Sequence, residues 1–296
     1  MNKIGVIYTI ISGMLFGVNP LIVTIAYNYG YDALSIGFYR YLLAIPVLLI
    51  LCKLKKVILR VEKMDVTKML LIGIFGMSMT SLFLSSSYKY LSVGLATTLH
   101  FLYPMFVTVI SILLFKEKVV LGKIVCILMS FIGMILIADA DNTINIWGVF
   151  LSILSGITYA IYLVSIERTN IMKKYNSLFV SLCISSISAV FFFFMMCLFQ
   201  KVRIPNTINE IVVLICIAVL CQVIAVVSLQ LGIKYIGSTN AAVFSVFEPL
   251  TSNVVGCIFL KETLTFKKAE GCILILLAVV LMSYISLKSE RCNKHN

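Results

Sequence analysis

Apolar residues in this chain come in long continuous runs rather than in alternating or one-faced patterns. The runs fall at about 5–27, 33–52, 67–88, 92–115, 120–138, 145–166, 178–200, 209–232, 237–260 and 269–287. Each is near the ~20 residues that a helix needs to cross a hydrocarbon core ~30 Å thick. In lipid every backbone polar group must find its partner within the protein, which leaves helices or a closed barrel. Barrel strands alternate apolar and polar residues, and these runs do not, so helices are expected. The pattern predicts an all-α integral membrane protein of ten transmembrane helices with short connections. The longest connection, around 53–66, is basic and suits the membrane surface. The first run begins just after Lys3, and no A-x-A site follows it, so it reads as a retained helix rather than a cleaved leader.

Composition points the same way. Of 296 residues, 61% are hydrophobic and 12% charged, and the mean hydropathy is +1.09. A water-soluble domain of this size cannot hide so much apolar surface. The net charge of +12 would suit a nucleic-acid partner, but the Lys and Arg lie between the apolar runs and form no basic patch interleaved with aromatics. Nucleic acid is therefore not expected as a partner. Nine Cys are scattered mostly inside the runs, without C-x-x-C or His-paired spacing. They read as packing residues, and neither a metal nor another cofactor is indicated.

The same charges set an orientation. With the N-terminus inside, the cytoplasmic connections carry 17 Lys and Arg, the opposite set carries 6, and Arg40 lies within a run. The positive-inside rule then places both termini in the cytoplasm and residues 139–144 outside.

The most informative pattern is internal. A shift of 145 carries Lys89-Tyr90 onto Lys234-Tyr235, Ala96 onto Ala241, Pro104 onto Pro249 and Val109 onto Val254. It also carries Lys116-Glu117 onto Lys261-Glu262 and Lys123 onto Lys268. A shift of 143 carries Gly5, Thr9, Gly13 and Gly17 onto Gly148, Ser152, Gly156 and Ala160. Small residues every four positions let two helices approach closely. The chain thus divides into residues 1–140, residues 144–288 and a tail, 289–296. Five spans per half is an odd number, so the second half enters the membrane from the other side. Inverted-topology repeats of this kind build secondary transporters with the substrate site near mid-bilayer.

The segment from Lys89 through Pro104 to Lys116-Glu117, its echo from Lys234 through Glu248-Pro249 to Lys261-Glu262, and Arg40 in the second run resemble the EamA-type family of the drug/metabolite transporter superfamily. The resemblance covers essentially the whole chain. It implies a ten-helix inner-membrane carrier with a central cavity, in a family whose members often export amino acids or other metabolites. One departure stands out: the shifts of 143 to 145 carry Arg40 onto Cys183, Ile184 or Ser185, so the halves differ there. The expected function is secondary transport of a small polar metabolite by alternating access. A passive facilitator of the same fold is the alternative within transport. An intramembrane hydrolase is the alternative outside it, resting only on Gly76-Met77-Ser78 with His100 on the next run. The expected partners are a small-molecule substrate and membrane lipid. A coupling proton would suit a carboxylate in the membrane, and monomer and homodimer both fit.

Site candidates are the polar residues inside the runs. Glu248 precedes Pro249 near the middle of the ninth run, and an ionisable group there is a functional candidate by default. Arg40 either snorkels to the interface or points inward to Glu248 or an anionic group. His100 and Tyr103 lie just before Pro104 on the repeat-mate of that run, and Asn19 precedes Pro20 in the first. Tyr159 and Tyr162 on the sixth run, Gln222 and Gln230 on the eighth, and Asn240 and Asn253 on the ninth are further candidates for the cavity. Pro20, Pro104 and Pro249 are expected to kink their helices and free backbone carbonyls for polar contacts. The charged pairs Lys116-Glu117 and Lys261-Glu262 read as solvated helix ends.

Overall fold

A computed structural model of the protein describes residues 2–115, 145–199, 203–261 and 266–294, and scattered positions between 122 and 136. The described elements are helical, and eight stretches are long and apolar enough to cross a membrane. The helix α1 is Lys3–Asn28 and α2 is Ala33–Leu54. The third crossing, α3, spans Lys63–Ser87. The fourth consists of α4, Val93–His100, and α5, Tyr103–Phe115. Then come α6, Ile146–Arg168, the short α7, Ile171–Lys174, and α8, Ser177–Leu198. The next helix starts at Ile208 and breaks at Gly237, with φ 80° and ψ 164°. We number its parts α9, up to 236, and α10, 238–244. After these come α11, Phe247–Phe259, and α12, Phe266–Lys294, which occupies the tenth expected span. The fifth expected span, 120–138, lies largely outside the described residues, as do Lys116, Glu117 and Glu262.

Several helix starts are fixed by side-chain caps that satisfy otherwise unpaired first N–H groups. Asn2 accepts from the Ile4 N–H at 3.0 Å, and Asn145 from the Trp147 N–H at 2.9 Å. Asp32 accepts from Ser35 at 2.8 Å and Asn176 from Leu178 at 3.0 Å.

Two crossings expected as single helices, 92–115 and 237–260, are each broken in the middle. The turns fall at Phe101–Leu102 and at Ser245–Val246. Pro104 and Pro249 stand in the first turns of the helices that follow, where a residue without an N–H costs least. Each proline leaves the carbonyl four residues before it without a helical donor, which is where the turn forms. Pro20, by contrast, lies inside the continuous α1.

Two other crossings widen instead of breaking. α3 is π-helical over Ile72–Ser78, and α9 over Ile217–Ala225. The Ser78 hydroxyl donates to the Gly73 carbonyl five residues back at 2.8 Å, as this wider winding allows.

Small residues govern how α1 and α6 pack. A Cβ on Gly5 would lie 2.7 Å from Tyr235 Cβ, and one on Gly17 would lie 2.5 Å from Thr251 Cβ and 2.6 Å from the Glu248 carbonyl. On α6, a Cβ on Gly148 would lie 2.6 Å from Leu91 Cγ and 2.8 Å from Tyr90 Cβ, and one on Gly156 would lie 2.8 Å from the His100 carbonyl. Each helix therefore lies against the backbone of a broken crossing, α1 on α9–α11 and α6 on α4 and the turn that precedes it. α2 packs on α8, with Tyr41 stacked on Phe192 at 5.6 Å between ring centroids. Around these contacts the fully buried Tyr41, Tyr103, Tyr162 and Phe192 form the centre of the core.

Candidate functional site

Each broken crossing brings backbone ends and polar side chains to the middle of the bundle, and a cavity opens there. α1 lines it with Phe16 and Asn19, and α2 with Arg40. α3 contributes Met77, Thr80, Ser81 and Leu84. His100 comes from the end of α4, Tyr159 from α6 and Glu248 from the start of α11.

Glu248 is 4% exposed and sits in the first turn of α11, where the helix dipole favours an anion. Its Oε1 stands 4.0 Å from His100 Nε2. Its Oε2 is buried with no hydrogen-bonding partner, and so is Asn19 Oδ1 on the same cavity. Two unpaired acceptors facing one space call for a donor, because a buried acceptor left unbonded costs about 1–3 kcal/mol.

Arg40 points inward. It is 6% exposed, its Nε donates to Gln222 Oε1 at 3.3 Å, and its Nη2 donates to the Cys221 carbonyl at 3.4 Å. Gln222 is held in turn, its Nε2 donating to Ser185 Oγ at 3.1 Å. Arg40 and Glu248 border the same cavity without forming an ion pair, so each faces it with bonding capacity to spare. Gln222 therefore acts from behind Arg40 rather than from the lining.

His100 is fixed by an Nδ1 contact of 2.8 Å with Ser155 Oγ. Tyr103 backs the wall, its ring 5.5 Å from that of His100 and 4.7 Å, edge-on, from that of Tyr159. Tyr162 stacks on Tyr159 at 5.9 Å and accepts from Gln230 Nε2 at 3.0 Å, so Gln230 is already occupied. Asn240 lies elsewhere, on α10, bonding the Ile236 carbonyl at 2.6 Å, and does not line the cavity. Asn253 and Ser252 join the two broken crossings, reaching Thr98 at 3.4 Å and Thr97 at 3.0 Å. The hydrolase arrangement is not made: Ser78 bonds Gly73 and Ser188, and His100 Nδ1 bonds Ser155, whereas a nucleophile and its base must share a hydrogen bond.

Sequence reasoning missed Thr80 and Ser81. The available signal was the run of hydroxyls Ser78, Thr80, Ser81 and Ser85 inside an apolar crossing. Thr80 lies 2.8 Å from Thr158 Oγ1 across the α3–α6 contact.

Helices that cross repeatedly, around a cavity with a carboxyl group and a guanidinium on its wall, define a multi-pass membrane transporter. The chain belongs to the EamA-like transporter family, which it matches over residues 3–138 and again over 146–284. Two curated relatives from Archaeoglobus fulgidus, each described as an uncharacterized transporter, are similar to it. One is 26% identical over 75% of this chain and 79% of its own length. The other is 23% identical over 92% of this chain and 93% of its own length. A solved crystal structure superposes with a TM-score of 0.72 over 99% of both chains at 14% identity, which relates the folds alone.

Proposed function

We propose that the protein is a secondary transporter that exports a small polar metabolite, an amino acid or related solute, across the cytoplasmic membrane by alternating access. One observation carries this reading: Glu248 and Arg40 are both buried, border one cavity, and do not pair with each other. An amino acid supplies what each lacks, an ammonium for Glu248 and Asn19 and a carboxylate for Arg40. Buried charges are stable when paired, so the zwitterion would complete the site.

The architecture we infer is ten helices in two inverted five-helix repeats, with both termini cytoplasmic. The packing of the small-residue helices supports it. Gly5 meets Tyr235 and Ile236, and Gly148 meets Tyr90 and Leu91, the same positions shifted by 145. The π-helical stretches begin at Ile72 and Ile217, again 145 apart. Two halves that can exchange conformations give alternating access a physical basis.

Purified protein tested against amino acids, nucleosides and sugars should gain thermal stability with a zwitterion, since a ligand that binds the folded state stabilises it by mass action. Counterflow in proteoliposomes should then saturate and accelerate with substrate on the far side. Stabilisation by sugars or nucleosides alone would discard the zwitterion. Flux that neither saturates nor shows counterflow would make the protein a facilitator. Glu248 is the residue to carry a coupling proton, and a pH gradient that leaves transport unchanged would remove that role.

A further inference from the structure

Two buried acids near the ends of the helical body are held in matching ways. Asp65, in the first turn of α3, accepts from Tyr175 Oη at 2.9 Å, Lys174 Nζ at 2.7 Å and Lys68 Nζ at 2.8 Å. Lys174 also pairs with Glu62, whose N–H donates to Tyr175 Oη at 3.2 Å. Glu210, in the first turn of α9, accepts from Tyr31 Oη at 2.8 Å. Arg203 stands beside it, Nη2 3.9 Å from Glu210 Oε1 and the guanidinium 4.9 Å from the centre of the Tyr31 ring.

The offsets are those that relate the two halves. Asp65 and Glu210 are 145 apart in the sequence, and Tyr31 and Tyr175 are 144 apart. The pairing is crossed: the acid of each half binds the tyrosine of the other. α1 leaves the Lys3 end and α2 returns to it, so Tyr31 lies at the far end and Asp65 at the near one. The hydrogen bonds seat Tyr175 with Asp65 and Glu210 with Tyr31, giving one crossed pair at each end.

We propose that these pairs are the two gates of the transporter: each clasps the halves together at one end, and releasing one opens the cavity to that end while the other stays shut. This rests on the alternating-access reading. A buried carboxylate that loses its tyrosine and its cation must be rehydrated. Water entering the opened end supplies that hydration, so release and opening occur together. The two clasps differ in strength. Across the halves, Lys174 lies 2.7 Å from Asp65 and also pairs with Glu62, whereas the arginine at Glu210 stands 3.9 Å away. The resting protein therefore opens more often at the Glu210 end.

The test places a Ser81→Cys reporter on the cavity wall of protein whose native cysteines are replaced. Its reaction with a membrane-impermeant maleimide is measured in right-side-out and inverted vesicles. In the parent it should react from both sides, faster from the Glu210 side. Tyr175→Phe should speed reaction from the Asp65 side alone, and Tyr31→Phe from the Glu210 side alone, each on the order of tenfold for one lost hydrogen bond to a carboxylate. Phe keeps the ring packing, and Asp65→Asn and Glu210→Gln serve as second variants at the same ends. A parent that reacts from one side only would overturn alternating access, and the gates with it. A parent that reacts from both sides, but whose four variants change nothing or change both sides alike while melting like the parent, would overturn the gates alone.

Discussion

His100 Nε2 and Glu248 Oε1 stand 4.0 Å apart, one closing a half-helix of the first half and the other opening a half-helix of the second. That distance is too long for a hydrogen bond and leaves the carboxylate to a ligand. With Oε2 unpartnered as well, Glu248 is the residue whose chemistry the fold leaves unfinished.

Glu248→Gln keeps the shape and removes the charge, so it should abolish most transport and leave the melting temperature within a few degrees of the parent. Glu248→Leu should also abolish transport while raising the melting temperature, because an unbonded buried acceptor worth about 1–3 kcal/mol is removed. Proteoliposome flux measured beside thermal unfolding separates the two effects. Wild-type flux and pH dependence in Glu248→Gln would reduce Glu248 to a structural hydrogen bonder.

Arg40→Lys should raise KM at least about tenfold, because a single ammonium cannot hold both the Gln222 amide and the Cys221 carbonyl and still face the cavity. Gln222→Ala should act in the same direction more weakly, since it frees the guanidinium without removing it. Saturation curves for the two variants give the order, and a KM for Arg40→Lys equal to the parent's would mean that this guanidinium does not meet the substrate.

Gly17→Ala and Gly13→Ala differ by one turn of α1 and should differ in outcome. A Cβ at Gly17 collides with Thr251 and the Glu248 carbonyl, whereas one at Gly13 has no neighbour nearer than 3.4 Å. Gly17→Ala should destabilise by about 1–3 kcal/mol, the usual cost of overpacking, and Gly13→Ala by little. Equal melting temperatures would mean that α1 shifts freely.

The clasp at Asp65 should ignore pH across the neutral range. Hydrogen bonds from Lys174 to Asp65 and Glu62 hold its ammonium above the ordinary 10.5. A raised lysine lends stability that is fully present below the unfolded value and is lost only as pH climbs through the folded one. The groups facing it are Glu62, Asp65, Lys68 and Tyr175. Ser81→Cys labelling from that end, divided by the labelling of unfolded protein at the same pH to remove the reporter's own thiolate fraction, should stay flat from about pH 6 to pH 9 and rise only above about pH 10.5. A rise between these values would assign control to another group.

A cysteine at position 141, replacing Asp141 in a cysteine-depleted background, should react with impermeant maleimide from outside intact cells. Selective reaction from the cytoplasmic face would reverse the topology read from the charges.

The crossings and the doubling of the chain were legible because lipid demands long apolar runs, and because Lys89-Tyr90 and Pro104 recur at Lys234-Tyr235 and Pro249. Glu248, Arg40, His100, Asn19 and Tyr159 stood out as polar or bulky residues inside those runs, and the structure brings all five to one cavity. Thr80 did not stand out because a hydroxyl can satisfy itself on its own helix, here on the Gly76 carbonyl at 2.7 Å. Asn240 likewise spends its amide on the main chain, donating to the Ile236 carbonyl across the break at Gly237. Asp65 and Tyr175 lie in connections between the apolar runs, where polar residues are ordinary. Only their contact, 110 positions apart, marks them.

The wide winding of α9 also decides what mutagenesis can reach. Each π hydrogen bond spans one residue more than an α bond, and Arg40 takes its second acceptor, the Cys221 carbonyl, from inside that stretch. That acceptor belongs to the main chain, so a scan that exchanges side chains along 217–225 leaves it in place. Shortening the stretch by one residue would not. It would rewind the segment and turn everything beyond it by about 100°. Part of the arginine's seat is thus encoded in the length of the chain rather than in the identity of any residue.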